Sequence, residues 1–265
     1  MIATANATAA EGTPAVRVRD LRKNYGAVEA TRGVDFYINK GEIVGFVGDN
    51  GAGKSTLMKM VAGDVPPSSG EIAINGQVVE NASASWARDH GVEMVYQDLA
   101  LCDNIDICSN IFLGRELRRR NLLGVNCLDH DEMLSRAHKL MGMLEVKLPS
   151  LLEPVTALSG GQRQMVAIAR SVAFQPQLVI MDEPTAALSV TTGEPLLELI
   201  RRLPSQGVAV MLVSHRLSDI LSTADRIYVL RHGKIGAEVR ASETTETELL
   251  HLMAGLDRAH AKSTQ

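Results

Sequence analysis

A chain of 265 residues that is 45% apolar can bury a sizeable core, as one large domain or two small ones, which excludes disorder for most of its length. Lys and Arg number 27 against 31 Asp and Glu, a formal net charge of −4, so the chain lacks the basic excess that a nucleic-acid partner calls for. No run approaches the roughly 18 apolar residues that cross a bilayer, and the three cysteines, Cys102, Cys108 and Cys127, are odd in number and without C-x-x-C spacing, which argues for reduced thiols rather than a disulfide framework or a zinc site.

Residues 1–12, rich in Ala and Thr and with no Lys or Arg before Arg17, lack the charged start of a signal peptide and read as a short disordered tail. Ala15–Arg19 and Val34–Ile38 alternate apolar and polar residues, as half-exposed antiparallel strands do. The apolar run Ile43–Val47 is a further strand. Directly after it, Gly48-Asp49-Asn50-Gly51-Ala52-Gly53-Lys54-Ser55 meets the phosphate-loop pattern G-x-x-x-x-G-K-[ST] at every defined position.

Glycines in this order let consecutive backbone N–H groups turn inward on phosphate oxygens, and the helix that follows presents its positive N-terminus to them. Lys54 can reach the terminal phosphates as a point charge, and the Ser55 hydroxyl is a hard oxygen ligand of the kind Mg²⁺ takes. Ser55–Gly63 reads as that helix, with Leu57, Met60 and Val61 on one face. Glu71–Ile74, the turn Asn75-Gly76 and Gln77–Val79 read as a hairpin.

The middle of the chain changes character. Asp129 is placed to cap a helix with Met133, Leu134, Ala137, Leu140, Met141 and Leu144 on one face, and the segment reads as a mostly helical insertion. After Gly160-Gly161, Met165, Ile168, Ala169 and Val172 mark another amphipathic helix, closed before Pro176. Leu178–Met181 and Val208–Val213 are apolar without alternation, as parallel strands covered on both faces are, and helix–strand alternation here implies an α/β core. The first of these strands delivers Asp182-Glu183: an acid beside Mg²⁺, then a base for water.

Between the phosphate loop and these acids stands Leu158-Ser159-Gly160-Gly161-Gln162, and the three elements together resemble the ATP-binding subunits of ABC transporters, over a span from about Val16 to Leu256. The resemblance implies an α/β fold: a P-loop NTPase (RecA-like) core, an N-terminal antiparallel β subdomain and an inserted helical signature subdomain. It implies one domain over 13–265, with 13–97 and 171–265 forming the core and 98–170 the helical part. ATP and Mg²⁺ are the implied cofactors. By resemblance Tyr25 stacks on adenine, Gly48, Asn50, Gly51, Ala52, Gly53, Lys54, Ser55 and Thr56 hold the phosphates, and Ser55, Gln97 and Asp182 hold Mg²⁺. Glu183, His215 and Gln97 take the catalytic roles; Ser159, Gly160, Gly161 and Gln162 press on the γ-phosphate of ATP bound to a second subunit. One complete motif set is half an ATPase, which implies a second cassette, most simply a homodimer enclosing two ATP molecules.

Two local departures stand out. Ala187-Leu188-Ser189 replaces the family's usual Ala-Leu-Asp, which puts communication between the two sites in question, and Pro195 falls in the helix that follows, where a first-turn position would cost little.

The phosphate-loop wording, Val95–Leu101 and Asn110–Leu117 are similar to the ATPases of bacterial monosaccharide importers, the ribose, xylose and fructose group. That likeness implies a membrane permease as partner, a periplasmic sugar-binding protein indirectly, no nucleic acid, and a peripheral position on the cytoplasmic face of the inner membrane; it does not name the sugar. Arg118-Arg119-Arg120, with Arg115, could meet the permease or anionic headgroups, or be a solvated helix end. Transport of another solute, export, and a non-transport ATPase working on nucleic acid are the alternatives, the last disfavoured by net charge. A module that only senses ATP would be expected to lack Glu183 or His215, and both are present.

Overall fold

The computed structural model describes residues 13–79, 83–96, 98–120 and 125–256, with backbone alone at 190–192. The expected tail and Gln97 lie outside the described residues.

Strands β1 (Val16–Tyr25) and β2 (Val28–Ile38) pair antiparallel and run beyond the segments that alternate in sequence. The reason is a register shift between Val18 and Leu21, where Asp20 adopts a positive φ of 42°. Such a bulge moves the inward face from Val16 and Val18 to Leu21, so period-two reading stops at Arg19. Next come β3 (Ile43–Gly48), buried throughout, and α1 (Lys54–Val61). The hairpin of β4 (Ser69–Ile74) and β5 (Gln77–Val78) turns on Asn75 and Gly76, both at positive φ, the type I′ geometry that matches strand twist. β2, β1, β4 and β5 make one antiparallel sheet in that order.

After α2 (Ala84–Asp89) and β6 (Val92–Val95), the insertion contains α3 (Ile107–Phe112), a hairpin of β7 (Arg118–Arg120) with β8 (Asn126–Leu128), α4 (His130–Met143) and α5 (Gly160–Val172). Asp129 does cap α4, its carboxylate accepting from the Glu132 N–H. The arginine run is a strand rather than a helix end: Arg119 is drawn to Asp129 and Asp131 at 3.9 and 3.6 Å, beside the antiparallel partner β8. Arg115 is turned inward, 2.6 Å from Glu93 and over the Phe174 ring.

The remainder supplies β9 (Leu178–Asp182), α6 (Val190–Arg202), β10 (Ala209–Val213), α7 (Leu217–Thr223), β11 (Arg226–Arg231), β12 (Lys234–Arg240) and α8 (Glu246–Ala254). The six-stranded sheet runs β12-β11-β3-β10-β9-β6, parallel except for the β11–β12 hairpin. Alternate residues of its strands feed two cores: Val44 and Phe46 join Phe36, Leu57 and Tyr228 under the antiparallel sheet, while Ile43 and Val47 join Ile111, Met133, Val166 and Leu199 on the helical side. Pro195 is not in the first turn of α6 but six residues in, where it removes the ladder bond to the carbonyl of residue 191. The helix starts earlier than expected because the Ser189 carbonyl already accepts from the Gly193 N–H, 2.8 Å.

Candidate nucleotide site

β3, β9 and β10 are parallel neighbours in register, so the loops at their carboxyl ends converge, the place where open α/β sheets bind ligands. Gly48, at φ 153°, passes so close to β11 that a Cβ would stand 2.3 Å from the Leu230 carbonyl oxygen; one on Gly53, at φ 104°, would stand 2.6 Å from that of Ala30. Only glycine fits at either end of the loop. No side chain caps the start of α1, which leaves its first-turn N–H groups for a ligand. Lys54 is 7% exposed and folds across the loop, Nζ donating to the carbonyls of Gly48 at 2.6 Å and Asp49 at 3.0 Å. Burial pulls its ammonium pKa below the usual lysine value, against the opposing pull of Glu183.

The loop faces a cleft of about 410 Å³ lined by Tyr25, Asn50, Gly51, Ala52, Gly53, Lys54, Ser55, Thr56, Asp182, Glu183 and His215. Val28, Glu29, Ala30 and Val213 complete the lining and were not expected; the start of β2 brings the first three there from outside any motif. Tyr25, at the end of β1, is 49% exposed, a ring available for stacking. Burial raises the pKa of both Asp182 and Glu183 above ordinary carboxylate values. Glu183 adopts a left-handed φ of 53°, its N–H donating to the Val213 carbonyl at 2.9 Å. That turn aims the carboxylate at the loop after β10, where Oε2 accepts from the His215 N–H at 3.0 Å. Oε1 is buried without a hydrogen-bond partner, with His215 Nε2 3.5 Å away.

One expected residue lies outside the described ones, and one expected group does not line this cleft. Gln97 is not described, though its neighbour Tyr96 is: the Tyr96 hydroxyl donates to Asp64 at 2.7 Å, and burial pushes its pKa up to about 12. Ser159, Gly160, Gly161 and Gln162 do not line the cleft; Ser159 and Gly160 are exposed at the start of α5. Gln162 is engaged at home in a capping box, its Oε1 accepting from the Ser159 N–H at 2.9 Å while Ser159 Oγ accepts from the Gln162 N–H at 3.3 Å. The spacing S-x-x-Q is a legible signal for that cap. Within one subunit, then, the signature segment stands outside the phosphate-loop cleft.

Residues 31–186 match the family model described as ABC transporter. This chain belongs to the ABC transporter family.

Among its ABC relatives, a xylose/arabinose import ATP-binding protein of Sulfolobus acidocaldarius is 42% identical over 238 residues, 90% of this chain and 93% of the relative. A fructose import ATP-binding protein of Rhizobium meliloti is 40% identical, covering 91% and 94%. A ribose import ATP-binding protein of Rubrobacter xylanophilus is 43% identical over 91% of this chain, which spans 48% of that longer protein. A dimeric ATP-binding cassette in a post-hydrolysis state bound to ADP and Pi superposes with a TM-score of 0.71 at 26% identity, covering 85% of this chain and 98% of that one. A nucleotide-free cassette from an ABC transporter superposes at 0.76 with 24% identity over 94% and 98%, a likeness of fold. The family and the P-loop NTPase fold expected from sequence are borne out.

Proposed function

We propose that this chain is the ATP-hydrolysing subunit of a transporter that imports a monosaccharide. The observation that carries the reading is the cleft itself: Lys54, Asp182, Glu183 and His215 meet at three strand ends beside a loop only glycine can form, in a chain alike over nine-tenths of its length to sugar import ATP-binding proteins.

Phosphoryl transfer needs positioning and charge neutralisation more than covalent chemistry. Backbone N–H groups at the start of α1 and Lys54 hold the phosphates, the lysine exchanging its two loop carbonyls for phosphate oxygens. Tyr25 offers its ring to the base. Glu183 receives the proton of the attacking water as the water oxygen bonds to the γ-phosphorus and the bond to the leaving oxygen of ADP breaks; its raised pKa makes it a stronger base than an ordinary glutamate. His215 faces the same space and meets the γ-phosphate. Ser55 and the half-buried Asp182, whose pKa burial raises, line the same cleft beside the phosphate loop, a set of hard oxygen donors that fits Mg²⁺ held by Ser55 and Asp182, with Gln97 as the third group. When bound, that ion neutralises phosphate charge.

The exposed signature segment, which does not line its own subunit's cleft, completes the site of a second copy. Among the described residues no helix is long and apolar enough to cross a membrane. The likeness to import ATP-binding proteins supports a membrane permease as partner, met at its cytoplasmic face, with a periplasmic sugar-binding protein as a further, indirect partner. Uptake of labelled ribose, xylose, arabinose, fructose and galactose by the native host, with the wild-type chain or Glu183→Gln, tests the reading. Loss of one sugar is expected and names the substrate. Unchanged uptake of all of them, with ATP hydrolysis intact in the wild type, would move the ATPase to another solute or to export.

A further inference from the structure

Beyond the ends of β9 and β10 their two loops stay joined. The Glu183 N–H donates to Val213, the His215 N–H to Glu183, and the Thr185 hydroxyl to Asp219 at 2.5 Å. The link furthest from the sheet is made by Arg216: Nη2 donates to the Leu188 carbonyl at 2.7 Å, and its own N–H donates to Ser214 Oγ at 3.0 Å. Leu188 is 7% exposed, and its Cδ2 stands 3.9 Å from the point where a Cβ on Gly160 would be. One residue thus stands beside the signature glycine with its side chain and takes Arg216 with its carbonyl. Arg216 follows His215 directly, so the Leu188 carbonyl is tied within one residue of the histidine that faces Glu183.

We propose that Arg216 is a positioning residue that couples a subunit's own hydrolytic pair, Glu183 and His215, to its own signature segment. The inference rests on the ATPase reading above. In a dimer whose signature segments each cover the other subunit's nucleotide, closure over one ATP moves Gly160, Leu188 and the Arg216 loop of the covering subunit, and so sets the carboxylate at the other ATP. A guanidinium suits this role because several donors in a rigid plane hold a carbonyl in one place, where an ammonium would swing. A buried carbonyl needs a donor in any case; what distinguishes coupling from that bland service is an effect at the second site.

The test is steady-state ATP hydrolysis by the full chain at concentrations that dimerise it, as wild type, Arg216→Met, Arg216→Lys and Leu188→Ala, with ATP-analogue affinity and Tm measured on each. The wild type is expected to show a Hill coefficient above one, up to the limit of about two set by two sites. Arg216→Met should bring it toward one and lower kcat roughly tenfold, the scale for a slightly misplaced catalytic group, with analogue affinity unchanged. Arg216→Lys should recover part of both. Leu188→Ala keeps the carbonyl bond but removes the side chain that stands beside Gly160, so it should lower the Hill coefficient more than kcat, which keeps the test alive if Arg216→Met unfolds. A wild-type coefficient of one, or variants that lose rate with the coefficient unchanged, would overturn the coupling role. A wild-type chain that binds ATP and hydrolyses none would sink the ATPase reading instead.

Discussion

The two ends of the parallel sheet treat buried charge in opposite ways. At the amino ends of β3 and β11, Arg226 is 8% exposed and fully engaged: Nε and Nη2 reach both Glu42 oxygens at 2.8 and 3.0 Å, Nη1 reaches Glu238 at 2.8 Å and the Tyr228 hydroxyl at 2.6 Å, and Nη2 also donates to the Tyr37 carbonyl at 2.9 Å. The guanidinium carbon lies 4.0 Å from the Tyr37 ring centre as well. At the carboxyl ends, Asp182 and Glu183 are half-buried with raised pKa values, and one Glu183 oxygen is buried without a partner. Charge that is fully paired holds a structure together, whereas charge buried short of partners is stored for a ligand.

The largest way to break this contrast is Glu183→Gln. The amide keeps an oxygen to accept from the His215 N–H but cannot take a proton from water, so kcat should fall by roughly 10³-fold, with ATP bound and the dimer held. Hydrolysis by that variant at the wild-type rate, measured as phosphate release, would remove Glu183 from the mechanism.

Next is the opposite end. Arg226→Leu leaves the half-buried Glu42 and the exposed Glu238 without their cation, a loss of about 3 kcal/mol, the low end for breaking a buried pair from one side. Tm should drop on the order of 10 °C, read by calorimetry. A drop of only a degree or two would mean that water replaces the guanidinium at little cost.

The same Glu183→Gln variant should raise the stability of the nucleotide-free chain at pH 7. A carboxyl whose pKa is raised on folding holds its proton in the native state at pH values where the unfolded chain has lost it. Stability therefore falls as pH climbs from the unfolded carboxylate value through the raised one. The amide has no such loss, so its Tm should exceed that of the wild type at pH 7 and the gap should close as pH falls below about 4.3, the ordinary Glu value. A gap that persists in acid would assign the gain to packing rather than to charge.

What could be read from the sequence follows the range of the interactions. The phosphate loop, the strand that ends in Asp182-Glu183 and the amphipathic face of α4 are contiguous patterns, and each folds as its own residues require. The Arg226–Glu42 pair spans 184 positions and the Arg216–Leu188 bond 28, and no local pattern announces either. The bulge at Asp20 cut short the reading of β1, and the arginine strand β7 had no visible partner because its pairing with β8 is a matter of turn and charge, not of period. Within the site, the residues that carry motifs were legible; those that merely face the cleft, Val28 to Ala30, arrive there by the path of the antiparallel sheet.

The smallest expected effect concerns the residue that departs from the family's wording. Ser189 stands where α6 begins, its carbonyl accepting the first bond of the helix from Gly193. Ser and Asp are near-equal at such a position, and an acid gains only a few tenths of a kcal/mol from the helix dipole. Ser189→Asp should therefore shift stability by no more than about 1 kcal/mol, the upper scale of a charge at a helix start. It should also leave the Hill coefficient of hydrolysis where it was, because the link between half-sites runs through the carbonyl of Leu188 and the guanidinium of Arg216 rather than through side chain 189. If the aspartate instead sharpened or abolished cooperativity, the coupling would lie in that side chain, and the nucleotide end of the sheet would depend on a carboxylate this chain has given up.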